Sequence, residues 1–457
     1  MKKLLSLVLA TMFLASVCAF AIAENEYADE RILYFGECFN EDTFATSLSN
    51  SPDPRLDEEW DGDEKDVIRY ENLKAVEEKY NVKMYNRLQG DPEYIANFFT
   101  QNTKEFDIVH NNGNTLLTWA RDGFLVDLKS FLPEDHDIFT TGIAASVVDV
   151  GLDGVYFFRP YTMDNTYLLA CNVDMLEDAN LEDPRELYER GEWTWDVFLE
   201  YCEAMTKDTD GDGIADQFGY SGHPEDTMDQ LIMSNGGAII SGPTATFDST
   251  EVTEAMEMVQ EMYLNREICY PYNDNWHDDL RFNYTQGIVG FSPMAVWVLS
   301  SKNCYDPYGG NSTATFETIL CPWPVGPSGN AETNAMVQLG GDNYFYCIPT
   351  QAEDPERIFN AWYDQTNWYK GDLTLRDDPE SFIWWIGCTS DDPDNQDANW
   401  FWQNEAMSRT CVELHRTSPV DRNTWLKDLF TGNMTPAQIQ ETYQQQYQDY
   451  ANTLFVK

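Results

Sequence analysis

Basic residues are scarce. The 457-residue chain carries 28 Lys and Arg against 79 Asp and Glu, a formal net charge of −51. Such a surface repels phosphate backbones and anionic headgroups, which sets aside nucleic acid and acidic membranes as partners. Solubility in a salty exterior accounts for the acidity, with a bias toward neutral or cationic ligands. Histidine is rarer still: His110, His136, His223, His277 and His415 are all there are, and none sits in HExxH or a close pair. G-x-S-x-G and G-x-x-x-x-G-K-[ST] are absent, and no G-x-G-x-x-G follows a strand. The signatures of zinc proteolysis, nucleophile-elbow hydrolysis and nucleotide binding are therefore missing. Paired carboxylates for glycoside hydrolysis lose diagnostic value among so many acids. No motif points to an enzyme.

Long apolar runs are lacking too, with one exception. "MKKLLSLVLATMFLASVCAFAIAEN" has a basic start, an apolar stretch from Leu4 to Val17 and an Ala21-Ile22-Ala23 cleavage motif. It reads as a secretory signal, residues 1–23, so export is expected to the exterior, the cell surface or the periplasm. Cleavage after Ala23 is preferred over lipid anchoring at Cys18, because Val17 before that cysteine is not small. Ten cysteines become nine after cleavage, without a CxxC. Cys304 with Cys321, or Cys388 with Cys411, could bridge, but buried thiols acting as small apolar residues are the preferred reading.

What is present is material for large cores: 42% hydrophobic and 14% aromatic residues. This length exceeds what one core usually serves, so two lobes are expected. "RILYFGE" (31–37) reads as a strand and Asn50 to Asp66 as an acidic loop. "YENLKAVEEKY" has helical spacing, "NVKMYNRL" alternates like a strand, and "DPEYIANFFTQNT" opens with Pro after Asp, as helices do. "FDIVHNNGN" is a short strand, followed by a helix up to Gly123. Strand–helix alternation of this kind argues a parallel sheet covered by helices. Further on, a helix capped by Thr194, a strand at "FGYSG", a helix capped by Asp248 or Ser249, and a last helix capped by Thr435 are expected. The stretch 352–457 reads as mostly helical.

"DTDGDGIADQFGY", Asp208 to Tyr220, follows the ligand spacing of a calcium loop. Asp208, Asp210, Asp212, the Ile214 carbonyl and Asp216 occupy the ligand positions, with Gly213 at the sharp turn. Position 12 is Gly219, so the bidentate Glu is missing and a second helix is not expected. Structural calcium is the preferred reading over a solvated acidic turn, and regulatory calcium comes last.

Taken in order, "NLKAVEEKYNVKMY", "FDIVHNNGNTLLTWARDGFLVDL", "DGVYFFRPYTMDNTYLLACNVDML", "WTWDVFLEYCEAMT", the acidic loop, "NGG", "FDSTEVTEAMEMVQEMY", "WPVGPSG" and "LGGDNYFYCIP" resemble the extracellular solute-binding proteins of ABC importers, in their carbohydrate and oligosaccharide branch. The resemblance spans nearly all of 31–457. It implies a two-lobed α/β fold of the periplasmic-binding-protein type II, each lobe a sheet covered by helices, joined by a hinge of crossing strands. The implied division is an N-lobe of 24–167 and 288–340 and a C-lobe of 168–287 and 341–457. It also implies a monomer that delivers its solute to an ABC permease and does no chemistry. Carried over by position, the ligand residues would be Glu37, Asn40, Asn111, Asn112, Asn114, Asp164, Asn165, Glu225, Asp226, Trp297, Gly341 and Asp342. Carboxylates and amides of this kind pair with sugar hydroxyls, and a Trp face covers a pyranose. A secreted carbohydrate-active enzyme and a same-fold binder of cationic or peptide-like solutes are the alternatives.

Overall fold

The computed structural model describes residues 27–37, 64–88, 104–140, 147–148, 152–159, 167–272, 283–295, 316–335, 337–340, 344–370, 410–416 and 418–456. The chain forms two compact units, Met1–His110 with Gln351–Lys370, and Asn111–Thr350 with Gly371–Lys457.

In the first unit, β1 (Arg31–Glu37) runs parallel to β2 (Val82–Leu88) and to β3 (Ile108–Asn112). The connection from β1 to β2 ends in α1 (Glu64–Tyr80), which begins inside the stretch read as a loop. Leu73, Val76 and Tyr80, the spacing legible in the sequence, are all buried. The helix Pro355–Thr366 packs on α1. Arg357, 1% exposed, donates to the carbonyls of Tyr80, Asn81 and Asp29 and lies 4.5 Å from the Tyr27 ring. One guanidinium thus satisfies three carbonyls where helix gives way to strand, which removes the penalty of burying it.

The second unit begins with α2 (Gly113–Asp122), ended as expected by Gly123 in the left-handed region at φ 82°. Short strands β4 (Val147–Val148) and β5 (Phe157–Phe158) follow. Its main sheet contains β6 (Tyr167–Asn172), and behind it lies α3 (Trp195–Met205), capped by Thr194. The chain continues through β7 (Phe218–Tyr220), α4 (Pro224–Ser234) and α5 (Thr250–Gln260), capped by Ser249, to β8 (Val289–Ala295) and β9 (Thr318–Cys321). The strand order is β9-β6-β8-β7. β6 is antiparallel to both its neighbours and β8 is parallel to β7. The carboxyl ends of β7, β8 and β9 therefore lie along one edge, where α4 starts. Trp193, Phe198 and Phe291 pack with ring centroids 5.3 to 6.0 Å apart and fasten α3 to the sheet. Each such ring contributes roughly 1.5–3 kcal/mol by burial.

Among the described residues of 352–457 helix predominates, as expected, with one unforeseen strand at Thr410–Glu413. β10 (Val337–Gly340) pairs in parallel with β12 (Thr410–Glu413), while β11 (Tyr344–Cys347) pairs with β5. Two helices close the chain, α6 (Arg422–Phe430) and α7 (Pro436–Phe455). Thr435 and Gln438 form the reciprocal capping box at the start of α7. Cys171, Cys202, Cys269 and Cys321 are buried thiols outside any disulfide, so the Cys304–Cys321 bridge is not made. Burial raises the thiols of Cys171, Cys202 and Cys269 well above the ordinary range, which keeps them inert. Cys18, Cys304 and Cys388 lie outside the described residues. None of the described helices is long and apolar enough to cross a membrane.

Candidate functional site

In open α/β sheets, ligands bind beyond the carboxyl ends of the strands. In the second unit that edge is where β7 passes through Ser221, Gly222 and His223 into α4. The Tyr220 and Thr227 hydroxyls share a hydrogen bond of 2.6 Å and tie strand end to helix start. The first turn of α6 lies beside it. Together the two helix starts form a groove of about 260 Å³, lined by Pro224, Glu225, Tyr272, Asn423, Thr424, Leu426 and Lys427.

Beneath the groove lies a buried ionic cluster. Asp229, on the second turn of α4, is fully buried and receives three cationic side chains. Arg416 Nε lies 2.8 Å and His415 Nε2 3.1 Å away, and Arg422 Nη2 completes the set. Arg416 Nη2 also reaches Asp226 at 3.1 Å, and Arg422 Nη1 stands 3.7 Å from Glu225. The other nitrogen of His415 lies 2.7 Å from Glu413. Glu413 in turn accepts from the backbone N–H groups of Ile239 and Ile240. The delivery is geometric: β12 ends at Glu413 and so sets His415 and Arg416 against α4, while Arg422 is the first residue of α6.

Burial alone would raise the Asp229 carboxyl, but Arg422, His415 and Arg416 outweigh it and hold it far below the carboxylate range. Burial alone would lower His415, but Glu413 and Asp229 prevail and raise it. A carboxylate near each ring nitrogen favours the imidazolium form of His415. Both guanidinium groups are compensated by Asp226, Asp229 and Glu225, so the cluster presents no excess positive charge to an anion.

The residues expected from the sequence divide accordingly. Glu225 lines the groove. Asp226 is buried and pairs with Arg416. Asn112 caps α2 through Thr115 N, and Asn111 Oδ1 accepts from Asn112 N. Asn114 Nδ2 donates to the Leu414 carbonyl and the Tyr450 hydroxyl. Glu37 ends β1. Asn40, Asp164, Asn165, Trp297, Gly341 and Asp342 lie outside the described residues. Tyr272, Asn423, Lys427, Arg416, Arg422 and His415 were not foreseen. The signal available was their rarity, since "ELHRTSPVDR" concentrates three cationic side chains in a strongly acidic chain.

The acidic loop is a hairpin closed by Lys207 and Gln217. Asp208, Asp210 and Asp216 bring carboxylate oxygens within 4.8 Å of one another at the surface. Asp208 accepts from Gly211 N and Gly213 N, Asp210 from Asp212 N, and Asp212 from Ile214 N. Gly211 and Gly213 sit at φ 81° and 91°, where a side chain would be strained. Converging exposed carboxylates on a glycine-bent loop fit a hard cation with oxygen ligands. Gly219, at the twelfth position, belongs to β7, and a Cβ there would run into the backbone of Cys202 in α3. No Glu could stand there, because the loop leads into a sheet and not a second helix.

The profile of the bacterial extracellular solute-binding proteins matches residues 72–362. No curated protein sequence matches the chain. Among solved structures, UspC of M. tuberculosis is similar over 93% of this chain and all of its own, at 13% identity and a TM-score of 0.59. A sugar transporter protein of Rhizobium etli, in an open conformation, is similar over 91% of this chain and 98% of its own, at 15% identity and a TM-score of 0.59. The maltose/maltodextrin-binding domain MalE of Bdellovibrio bacteriovorus, bound to maltotriose, covers 92% and 99%, at 12% identity and a TM-score of 0.50. These likenesses carry the fold, the α/β architecture of two-lobed periplasmic-binding-protein-like structures. The chain belongs to the bacterial extracellular solute-binding proteins.

Proposed function

We propose that this protein captures a neutral carbohydrate outside the cytoplasm and delivers it unaltered to the permease of an ABC importer. The observation that carries the reading is the groove at the starts of α4 and α6. Its lining combines an aromatic ring, Tyr272, with a carboxylate, an amide, a hydroxyl and an ammonium, from Glu225, Asn423, Thr424 and Lys427. Sugars need this mixture, with polar groups for hydroxyls and a ring for the C–H face. The compensated guanidinium groups below it argue against phosphate or carboxylate ligands. The maltotriose bound to the Bdellovibrio protein and the description of the Rhizobium protein as a sugar transporter support the same class.

A thermal-shift screen of mono- and oligosaccharides, polyamines and short peptides tests this. Reversible stabilisation by a sugar, with the sugar recovered intact, is the expected outcome. Bond cleavage would turn the reading to a carbohydrate-active enzyme. Stabilisation by polyamines alone would turn it to a cationic solute, as the net charge of −51 allows.

The acidic loop is proposed as a structural calcium site that staples α3 to β7, with Asp208, Asp210, Asp212, Asp216 and the Ile214 carbonyl as its ligands. A cation there would relieve the repulsion among the carboxylates. Chelation by EDTA is expected to lower the melting temperature by roughly 3–5 °C and to leave the order of sugar preference unchanged. A changed preference at constant stability would contradict the structural role.

A further inference from the structure

At the sheet edge described above, a second and smaller cavity lies behind α4. Leu168, Gln230, Met233, Ser234, Pro322 and Trp323 form most of its wall. Its volume, about 10 Å³ counted for the centre of a water molecule, is that of a single oxygen site.

Two of its polar side chains are unlike the rest. Gln230 is 0% exposed, and neither its Oε1 nor its Nε2 has a hydrogen-bond partner among the described residues. Trp323 is 3% exposed, and its indole Nε1–H is likewise without one. The other polar side chains of the wall, Ser234 and Asn334, are accounted for: Asn334 Nδ2 donates to the Ser234 carbonyl and its Oδ1 accepts from Asn330 N. Ser234 Oγ accepts from Trp195 Nε1 at 3.2 Å and donates to the Leu231 carbonyl.

Gln230 and Trp323, which between them carry two unpartnered donors and one unpartnered acceptor, thus share the wall of one water-sized space. Burying them unpaired would be costly, and buried polar groups in proteins are almost always satisfied. A hydroxyl-type oxygen offers the complement, one O–H to donate and two lone pairs to accept. A metal ion has no anionic ligand in this wall, and an anion would face the Gln230 carbonyl oxygen. We propose that Gln230 and Trp323 form a binding site for one hydroxyl oxygen, supplied by an internal water or by a hydroxyl of the bound sugar. Either occupant ties α4 to the segment leaving β9.

The direction of a stability change decides the matter. Gln230→Met and Gln230→Leu keep the volume closely but remove the polar atoms. If an oxygen is bound, each variant loses hydrogen bonds, and the melting temperature falls by about 2–4 °C. If the groups are truly unpaired, removing them relieves a burial penalty, and the melting temperature stays or rises. Each variant is measured alone and with the sugar of the screen above that stabilises the wild type most. An equal fall in both states identifies an internal water. A fall confined to the loaded state identifies a sugar hydroxyl, an arm that rests on the carbohydrate reading. Unchanged or raised melting in both states overturns the proposal. The unloaded arm uses no sugar, so failure of the carbohydrate reading remains distinguishable.

Discussion

Asp229→Ala lowers stability by about 3–5 kcal/mol, the loss expected when one member of a buried ion network is removed. The reason lies in the partners left behind. Arg422, Arg416 and His415 all converge on this carboxylate, which is fully buried. Without it, three positive groups share the remaining charges of Asp226, Glu225 and Glu413 in a place water does not reach. Asp229→Asn preserves the shape and is expected to lose nearly as much, because the charge is what its partners need. Urea unfolding measures both. A loss below about 1 kcal/mol, the ordinary value for exposed pairs, would mean that the cluster does not hold α4 to the segment after β12.

The same cluster gives a pH signature. The Asp229 carboxyl is held below its usual range, so its contribution is present above the unfolded value of about 3.9 and is lost as pH falls through the folded one. His415 is raised, so its contribution is fully present below about 6.5 and is lost as pH rises through the folded value. His415→Asn is therefore expected to destabilise most between about pH 4 and 6.5, with the difference from wild type shrinking above that. A difference that grew with pH would contradict an upward shift of His415.

The second large effect concerns binding. Glu225→Ala is expected to weaken the best sugar of the screen by roughly 10- to 100-fold, the worth of a hydrogen bond to a charged group. Tyr272→Ala is expected to weaken it in the same direction through loss of the ring. Tyr272 is partly exposed in the groove, so melting of its variant without sugar should change little, whereas Glu225→Ala also removes a carboxylate facing Arg422 and lowers melting somewhat. Titration calorimetry distinguishes the outcomes. Unchanged affinity in both variants would move the solute away from the starts of α4 and α6.

Local chemistry was legible in the sequence because its causes are local. Thr194, Ser249 and Thr435 cap the helices expected of them, and Gly123 ends α2 in the left-handed region. The strand at Phe218–Tyr220 after the acidic loop also agrees, with Gly219 explaining the missing Glu. The strand Thr410–Glu413 was missed because four residues carry no periodicity and its partner, Val337–Gly340, is remote in sequence. The ionic cluster was missed for a similar reason. Asp229 meets Arg416 and Arg422 across sequence separations of 187 and 193 residues. No spacing rule connects groups that distant, and only the fold brings them together. The groove is likewise built from Glu225, Tyr272 and Asn423, of which Glu225 was foreseen through the family's positions.

The central claim is that the protein binds a neutral sugar and leaves it whole. Titration calorimetry of the intact protein with the sugar that stabilises it most, followed by mass spectrometry of the recovered sugar, tests this directly. The account predicts saturable binding of one sugar per chain, with the ligand recovered at its original mass. Hydrolysed sugar, or binding confined to polyamines and peptides, would contradict it.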